Sequence, residues 1–395
     1  MKLFYLLLVF LFLWGCDRSE SIHKNCLVID THCDSPMLLV NDGLNLSERH
    51  SPPDVRVDFP RLREGNVDAI FFALFTGQRP RIPENCENAY RLAHQMLDST
   101  RASVSRDPDR VALATRSSDV RDMEKQNKTA IFLGMENGFP LGLELSRVKE
   151  FYDCGVRYIT LCHSSNNDLC DSSTDPAGPE HDGVSEFGEK VIEEMNRLGM
   201  IIDVSHISDA SFYDVLRLSK APVIASHSSA RAVCNHPRNL DDDMIRTLAG
   251  KGGVIQICIL GMYIREADTS SVNYREREKL RKKYNNWQYA NEEERKRAWA
   301  EYDSINRIFP QTLPTVADAV DHIDHVVDLV GVDYVGIGSD FDGGGGLAGC
   351  ADVSEFPQIT RELIRRGYTA REIEKIWGGN FLRVFREVEA VSDKM

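Results

Sequence analysis

Histidine and acidic residues stand at the ends of six short apolar runs in this sequence. Those residues are His32 with Asp34, Glu136, His163, His206, His227 and Asp340. Short runs rich in Val and Ile are typical of buried parallel strands. Imidazole and carboxylate groups are zinc ligands, and such groups gather at the carboxyl ends of the strands in barrel enzymes. The pattern therefore predicts a metal-dependent hydrolase.

The number of candidate ligands predicts a site for two metal ions. His32 and Asp34 alternate along one strand end, so both side chains can point to one side. A lone histidine is more often a core or surface residue, but His206, His227 and Glu136 add further ligands. Together they exceed what one tetrahedral zinc ion needs. A carboxylate between two sets of ligands suits a bridge between two metal ions.

Eight strands are predicted to position these residues. Six are the apolar runs at 27–29, 130–135, 158–162, 200–205, 222–226 and 334–339. Two more strands, at 69–75 and 253–260, carry no ligand candidate. Apolar residues at helical spacing mark the intervals 84–100, 185–198 and 241–248. Strand and helix in alternation predict an α/β fold, a (β/α)8 TIM-like barrel with the metal site at the C-terminal face of its strands.

A long segment at 262–314 separates the last two predicted strands and is read as an insertion. Its charged run at 274–302 is predicted to be helical. The run contains the aromatic residues Trp287, Tyr289, Trp299 and Tyr302. These residues could cover the site as a lid, although packing onto the barrel is the more frequent role of such aromatics. No linker divides the chain, so residues 16–395 are predicted to form one catalytic domain.

The composition fits a large folded protein and argues against a nucleic-acid-binding protein. The chain has 395 residues, 42% of them apolar, which is enough for one large core. Its net charge is −14, and no basic stripe offsets this acidic background. Nucleic acid is therefore not expected as a partner.

The N-terminus is predicted to be an export signal rather than folded structure. Residues 1–15 place Lys2 before an apolar stretch that is shorter than the roughly 20 residues of a membrane span. The stretch ends in Leu13-Trp14-Gly15-Cys16, which resembles a bacterial lipobox. Cleavage there would make Cys16 a lipid-bearing membrane anchor. Trp14 fits that motif poorly, so an ordinary cleaved signal and a periplasmic product remain the alternative.

The other nine cysteines contain no Cys-x-x-Cys pair, which argues against a zinc finger. Export permits some of them to be oxidised, and Cys86 with Cys170 are plausible disulfide partners. Cys162 and Cys258 lie inside apolar runs, where buried free thiols are expected.

Seven short stretches of this sequence together resemble the membrane dipeptidase (renal dipeptidase) family of zinc metallopeptidases. Any one of them is a weak signal, but they occur in the expected order across nearly the whole mature chain. They are Asp30-Thr31-His32-Cys33-Asp34, Gly134-Met135-Glu136-Asn137-Gly138, Leu161-Cys162-His163-Ser164, Asp203-Val204-Ser205-His206, Ser226-His227-Ser228-Ser229, Arg238-Asn239 and Asp340-Phe341-Asp342-Gly343.

The resemblance implies a particular arrangement of two Zn²⁺ ions per chain. His32 and Asp34 would bind one ion, His206 and His227 the other, and Glu136 would bridge them. A hydroxide that bridges the metals would be the nucleophile, so no serine or cysteine nucleophile is needed.

The resemblance also implies roles for three further residues. His163 would stabilise the oxyanion, Asp340 would carry the proton from the water to the leaving amine, and Arg238 would bind the substrate's terminal carboxylate. Two of these residues have neighbours of the same type in the sequence. Asp342 lies close to Asp340. Arg231 and Arg246 likewise lie near Arg238.

The function that the resemblance implies is hydrolysis of small dipeptides, with tolerance of a D-residue at the C-terminal position, by an exported homodimer. Ser339 departs from the glycine that relatives often carry before the aspartate, which puts substrate preference in doubt more than catalysis. Two alternatives remain open. One is another binuclear-zinc amide or ester hydrolase, such as an N-acyl-amino-acid deacylase or a lactonase. The other is a lipid-anchored binding protein without turnover.

Overall fold

The structure is a computed structural model that describes residues 19–285, 291–392 and 394. The predicted signal at 1–15, the candidate lipid site Cys16 and the aromatic residues Trp287 and Tyr289 lie outside these residues. Among the helices in the described ranges, none is both long enough and apolar enough to cross a membrane.

Parallel strands form the centre of the molecule. They are β1 Ile29–Cys33, β2 Ala69–Phe75, β3 Val111–Leu113, β4 Thr129–Glu136, β5 Val156–Thr160, β6 Ile201–Asp203, β7 Ile224–Ser228, β8 Val254–Cys258 and β9 Val335–Gly338. Eight of them follow one another in the order β1-β2-β4-β5-β6-β7-β8-β9, and β3 pairs with β4 outside that path. The eight predicted strands are all present, and the short β3 was not predicted.

The last strand meets the first, which nearly closes the barrel. The Asp340 backbone N–H donates to the His32 carbonyl at 3.0 Å, and the Asp34 N–H donates to the Phe341 carbonyl at 2.9 Å. Ser339 reinforces this seam, because its hydroxyl donates to Asp30 Oδ2 at 2.5 Å and its N–H donates to Asp30 Oδ1 at 2.8 Å. The predicted (β/α)8 TIM-like fold is therefore confirmed.

Helices cover the outside of the barrel between the strands. In the described residues outside the segment between β8 and β9, the α-helices are Ser35–Asn41, Phe59–Glu64, Pro83–Arg106, Asp119–Lys125, Ser146–Asp153, Glu186–Leu198, Asp209–Leu218, Asp242–Gly250, Val316–Val330, Pro357–Arg365, Ala370–Glu374 and Asn380–Ser392. Short 3-10 turns lie at Phe139–Leu141, Val332–Tyr334 and Val353–Glu355, and a π-helical turn lies at Lys375–Gly379. Side-chain caps start two of the predicted helices, since Ser185 accepts from Gly188 N and Asp241 accepts from Met244 N.

The insertion between β8 and β9 contains helices in its described residues, where the charged pattern predicts them. It contains the helices Gly261–Ile264, Val272–Lys283 and Glu292–Ile308. The two longer helices share a small core of Leu280, Tyr284 and Ala298. Trp299 packs edge-on against Tyr302, with ring centroids 5.4 Å apart, so these two candidate lid residues contact each other within the insertion.

The C-terminal helix Asn380–Ser392 packs against one end of the barrel. Its Phe381 and Phe385 join an apolar cluster with alternate strand residues, including Phe71 of β2 and Phe132 of β4. The Phe71 and Phe381 rings meet edge-on at 5.2 Å. The polar strand ends described below lie at the carboxyl ends of the strands, as expected for a barrel of this kind.

The described cysteines are free thiols, including both members of the proposed Cys86–Cys170 pair. Cys162 and Cys258 are buried.

Candidate metal centre

The candidate ligands converge at the carboxyl ends of six strands. His32 and His227 lie within β1 and β7, and Glu136 is the last residue of β4. The other candidates follow strand ends and are Asp34 after β1, His163 after β5, His206 after β6 and Asp340 after β9. The rings of His32 and His227 stack with centroids 3.8 Å apart. The residues that directly precede them, Thr31 and Ser226, are 195 positions apart in the sequence.

Glu136 stands at the centre of this cluster. Its Oε1 lies 3.0 Å from His206 Nε2 and 3.3 Å from His227 Nε2. Its Oε2 lies 3.6 Å from His32 Nε2, and Oε1 is also 3.9 Å from His163 Nε2. The two oxygens of one buried carboxylate thus face different sets of imidazole nitrogens.

Three groups of potential ligand atoms overlap around this carboxylate. Within each group the ligand atoms lie within 4.8 Å of one another, and the groups are His32–Glu136–His227, Glu136–His163–His206 and His32–Asp34–Asp340. The five predicted metal ligands therefore belong to one continuous cluster.

Several polar atoms in the cluster suit a metal ion better than they suit one another. His206 Nε2 and His227 Nε2 are only 2.8 Å apart, and both face the same carboxylate oxygen. His32 Nε2, Asp34 Oδ1 and His206 Nδ1 are buried without a hydrogen-bond partner. Leaving a buried polar group unpaired costs about 1–3 kcal/mol, so such atoms call for another partner. Imidazole nitrogens and carboxylate oxygens are the donors that zinc takes, so the residues fit a metal site.

The electrostatics favour the protonation states that bind metal at three of the groups, Glu136, His206 and His227. Burial would raise the pKa of Glu136, but His32, His206 and His227 hold it well below its usual range. Burial lowers the pKa of His227 to about 3, and burial together with the charge of Arg238 holds the pKa of His206 well below its usual range. An ionised carboxylate between neutral imidazoles is the form that binds a metal.

His32 behaves differently because it has more negative neighbours. Burial would lower its pKa, but Tyr158, Glu136 and Asp34 together raise the pKa well above its usual range. Its Nδ1 lies 2.8 Å from the Tyr158 hydroxyl, which leaves Nε2 to face Glu136. A metal ion at Nε2 would compete with a proton for that nitrogen.

Asp340 and His163 flank the cluster. Burial and the negative charge of Asp34 raise the pKa of Asp340 to about 8. Cys258 points its thiol at Asp340 Oδ2, 3.5 Å away. The His163 ring packs between Phe75, at 4.7 Å, and His206, at 4.2 Å, and burial lowers its pKa so that the ring is neutral near pH 7.

The structure separates Asp340 from its neighbour Asp342. Asp342 accepts from the Ser35 hydroxyl and from the Arg56 backbone N–H, each at 2.6 Å, and it is not among the grouped ligand atoms. Gly343 explains how Asp34 and Asp340 come so close, because a Cβ there would lie 2.0 Å from Asp34 Oδ2 and 2.4 Å from Asp340 Oδ1.

Arg238 also lies at the cluster, whereas the alternative arginines are paired elsewhere. Its guanidinium donates to the His227 carbonyl at 3.0 Å and to Ser228 Oγ at 3.3 Å, and it lies over the Tyr263 ring at 5.1 Å. The buried Nε of Arg238 has no hydrogen-bond partner. Arg231 instead makes two bonds of 2.7 Å to Asp209, and Arg246 pairs with Asp243 at 2.9 Å.

Four residues of the site were not predicted from the sequence. Tyr158 contacts His32, and Tyr263 lies under Arg238. Ser226 contacts His227, and Asp203 in turn accepts a hydrogen bond from Ser226. Tyr158, Asp203 and Ser226 were counted as parts of strands, because a side chain that supports a ligand leaves no signal in a pattern of apolar residues.

Comparison with known proteins assigns the family. The sequence profile described as membrane dipeptidase (Peptidase family M19) matches residues 16–395. The chain belongs to the membrane dipeptidase family. Membrane dipeptidases are metallopeptidases, and the cluster around Glu136 supplies this member with residues that could hold a metal.

Similar proteins named as dipeptidases match almost the whole chain. Dipeptidase verJ of Clonostachys rogersoniana is 34% identical over 378 residues, which are 93% of this chain and 86% of that protein. Dipeptidase 3 of Rattus norvegicus is 31% identical over 96% of this chain and 68% of its own length. The crystal structure of the probable dipeptidase PvdM from Pseudomonas aeruginosa is similar with a TM-score of 0.85 and 30% identity, over 95% of this chain and 99% of that one.

Proposed function

We propose that this chain is a zinc-dependent dipeptidase with two metal ions per chain. The observation that carries the proposal is the position of Glu136, whose two oxygens face His206 with His227 on one side and His32 on the other. The family membership supports dipeptide hydrolysis, and the nature of the donors supports zinc.

The proposed ligands divide into two sets. His32 and Asp34 would hold one zinc ion, His206 and His227 would hold the other, and Glu136 would be a ligand of both. The chemistry that two bound zinc ions supply is activation of a water nucleophile and polarisation of the scissile carbonyl.

We assign the proton transfer in this reaction to Asp340. Burial and Asp34 raise the pKa of this carboxyl to about 8, so it exchanges a proton near neutral pH. We assign it to take the proton of the attacking water and to deliver it to the leaving amine, which is general base and then general acid catalysis by one group.

The substrate is positioned by His163 and Arg238. A neutral His163 can donate one N–H to the oxygen of the scissile carbonyl as negative charge develops there. Arg238 presents a planar fork of donors that fits the free carboxylate at the C-terminus of a dipeptide. A recognition element for that carboxylate limits cleavage to one terminal peptide bond. A D-residue at the C-terminal position is proposed to be accepted.

The test is hydrolysis of a panel of L,L and L,D dipeptides by the purified chain, before and after treatment with a chelator and after zinc is restored. We expect cleavage that the chelator abolishes and zinc restores, with two zinc ions per chain by elemental analysis. N-acyl amino acids and lactones belong in the same panel. If those compounds are cleaved and free dipeptides are not, the proposal fails in favour of a different hydrolase. Two bound zinc ions without turnover of any substrate would indicate a binding protein.

Export and assembly form a separate part of the proposal. Residues 1–15 are proposed to be a cleaved signal, with Cys16 either lipidated or part of a periplasmic product, and the mature chain is proposed to be a homodimer. Mass spectrometry of the N-terminal peptide distinguishes lipidated from free Cys16. Sedimentation of the mature chain gives the number of subunits.

A further inference from the structure

Asp203 is a buried acid that the proposed reaction does not use. It is the last residue of β6, and its side chain accepts four hydrogen bonds. Oδ1 accepts the backbone N–H groups of Ser205, at 3.0 Å, and of Ser226, at 2.8 Å. Oδ2 accepts the hydroxyls of Thr160, at 2.5 Å, and of Ser226, at 2.6 Å. Every side of this carboxylate is therefore occupied by a donor.

The Ser226 hydroxyl connects Asp203 to His227. An ionised carboxylate can only accept hydrogen bonds, so the Ser226 hydroxyl hydrogen points at Asp203. His227 Nδ1 lies 2.8 Å from the same hydroxyl oxygen. Since the hydroxyl hydrogen is already used, the contact requires His227 Nδ1 to carry a hydrogen and to donate it to Ser226 Oγ.

This contact determines which nitrogen of His227 is free. A neutral imidazole carries one hydrogen, so a hydrogen on Nδ1 leaves the lone pair on Nε2. Nε2 is the atom that lies 3.3 Å from Glu136 Oε1 and 2.8 Å from His206 Nε2. The lone pair thus points into the ligand cluster.

We propose that Asp203 and Ser226 are positioning residues, which hold His227 in the Nδ1–H tautomer before any metal binds and so make Nε2 a metal donor. The inference rests on the proposed function in that it takes His227 as a metal ligand. It goes beyond that proposal by assigning a role to two residues that contact neither metal nor substrate. Partners of this kind on ligating histidines contribute 10–100-fold to metal affinity.

The other two histidine ligands have different surroundings, which makes the effect specific to His227. His32 Nδ1 meets the Tyr158 hydroxyl, and His206 Nδ1 has no hydrogen-bond partner. Loss of the hydrogen bonds from Asp203 through Ser226 to His227 is therefore expected to weaken the binding of one zinc ion more than that of the other.

The experiment measures the tautomer and the metal affinity separately. Long-range proton–nitrogen NMR spectra of the metal-free protein, with ¹⁵N-labelled histidine, report which nitrogen of His227 carries the hydrogen, and a His227→Gln variant assigns its signals. We expect Nδ1–H in the unsubstituted chain and a shift toward Nε2–H in Ser226→Ala and Asp203→Asn. Titration of zinc against a chromophoric chelator should show about 10–100-fold weaker binding of one ion in both variants.

Thr160→Val is the matched control, since it removes the other hydroxyl on Asp203 Oδ2 without touching His227. It should keep the tautomer and both zinc affinities, and Ser226→Thr should keep them as well. Thermal unfolding of each variant shows whether it is folded. If Asp203→Asn does not fold, the inference is still tested by the spectrum of the unsubstituted chain and by zinc titration of the Ser226→Ala variant.

Two results would overturn the inference: an Nε2–H tautomer in the unsubstituted metal-free chain, or unchanged zinc binding in a folded Ser226→Ala variant. Neither depends on turnover. A chain that binds zinc as described but cleaves no dipeptide would contradict the proposed function and leave the role of Asp203 intact.

Discussion

At the scale of single residues, chemical type alone does not decide which side chain acts at the site. Arg238, Arg231 and Arg246 are the same type of residue, yet of the three only Arg238 is buried beside His227. The other two use their charge on neighbouring aspartates. Exposed ion pairs of that kind contribute little to stability, whereas a buried guanidinium with an unpaired N–H is available for a ligand.

The residue-scale prediction concerns Arg238. Arg238→Ala should lower kcat/KM for a free dipeptide about 100-fold, since a charge-assisted pair with the terminal carboxylate is lost. Hydrolysis of the C-terminal amide of the same dipeptide should be unchanged by the substitution, because it carries no carboxylate. The measurement is kcat/KM for both substrates. Arg246→Ala, at a surface ion pair, is the control and should leave both values as they were. Equal losses on acid and amide would refute carboxylate recognition by Arg238.

At the scale of elements, the loop after β9 shows how a backbone permits the site to form. Asp340 and Asp342 both have positive φ, at 57° and 65°, in a region that side chains other than glycine rarely adopt. The turn sends Asp340 toward the ligand cluster and Asp342 toward Ser35 and Arg56. Gly343 completes the turn where no Cβ fits. Strain of this kind is often found at functional sites.

The element-scale prediction is that Gly343→Ala damages the site more than the fold. Its Cβ would meet Asp34 Oδ2 at 2.0 Å and Asp340 Oδ1 at 2.4 Å, so both carboxylates must move. Zinc affinity and kcat should each fall at least about tenfold, while the thermal unfolding midpoint changes by only a few degrees. Chelator competition, steady-state kinetics and calorimetry give the three values. Gly77→Ala, in the loop after β2 where nothing lies within 4 Å of the added Cβ, should match the unsubstituted chain. Normal zinc binding by Gly343→Ala would show that the carboxylates tolerate the added methyl.

At the scale of the whole molecule, acids buried outside the metal site make the free energy of unfolding depend on pH. Asp68 precedes β2, and its Oδ2 accepts the Val28 backbone N–H at 2.8 Å beside β1. Burial outweighs this hydrogen bond and raises the pKa of Asp68 to about 7. The folded chain therefore binds this proton more tightly than the unfolded chain does. The contribution is present at low pH and is lost as the pH rises through about 7.

The whole-molecule prediction is that Asp68→Asn stabilises the chain at pH 8 and has little effect at pH 5. An asparagine oxygen can still accept from Val28, but the residue never becomes charged. Because Asp68 is partly exposed, we expect a gain of about 1–2 kcal/mol in the free energy of unfolding at pH 8 relative to pH 5. Urea unfolding of the metal-free chain at both pH values measures it, so that zinc binding does not contribute. Asp98→Asn, on an exposed helix surface, is the control. The same change at both pH values would contradict the assigned pKa.

Local sequence was sufficient for the strands, the barrel and the identity of the candidate ligands. Apolar runs such as 69–75 and 130–135 have the length of buried strands, and their number and alternation with helices predict the fold. The three-residue β3 was missed because so short a run gives no periodicity. The type of residue at each strand end then predicts a metal site.

Tertiary structure alone decided which atoms meet. Closure of the barrel places His32 against His227 and both against Glu136, and no local pattern contains those distances. It also decides that Asp340 rather than Asp342 faces the cluster. The hydrogen bonds from Asp203 through Ser226 to His227 join neighbouring strands, and they depend on register and side-chain rotation, which become defined only when the strands pair. A sequence specifies residue types and their local periodicity, whereas the positions of side chains distant in sequence follow from packing of the whole chain.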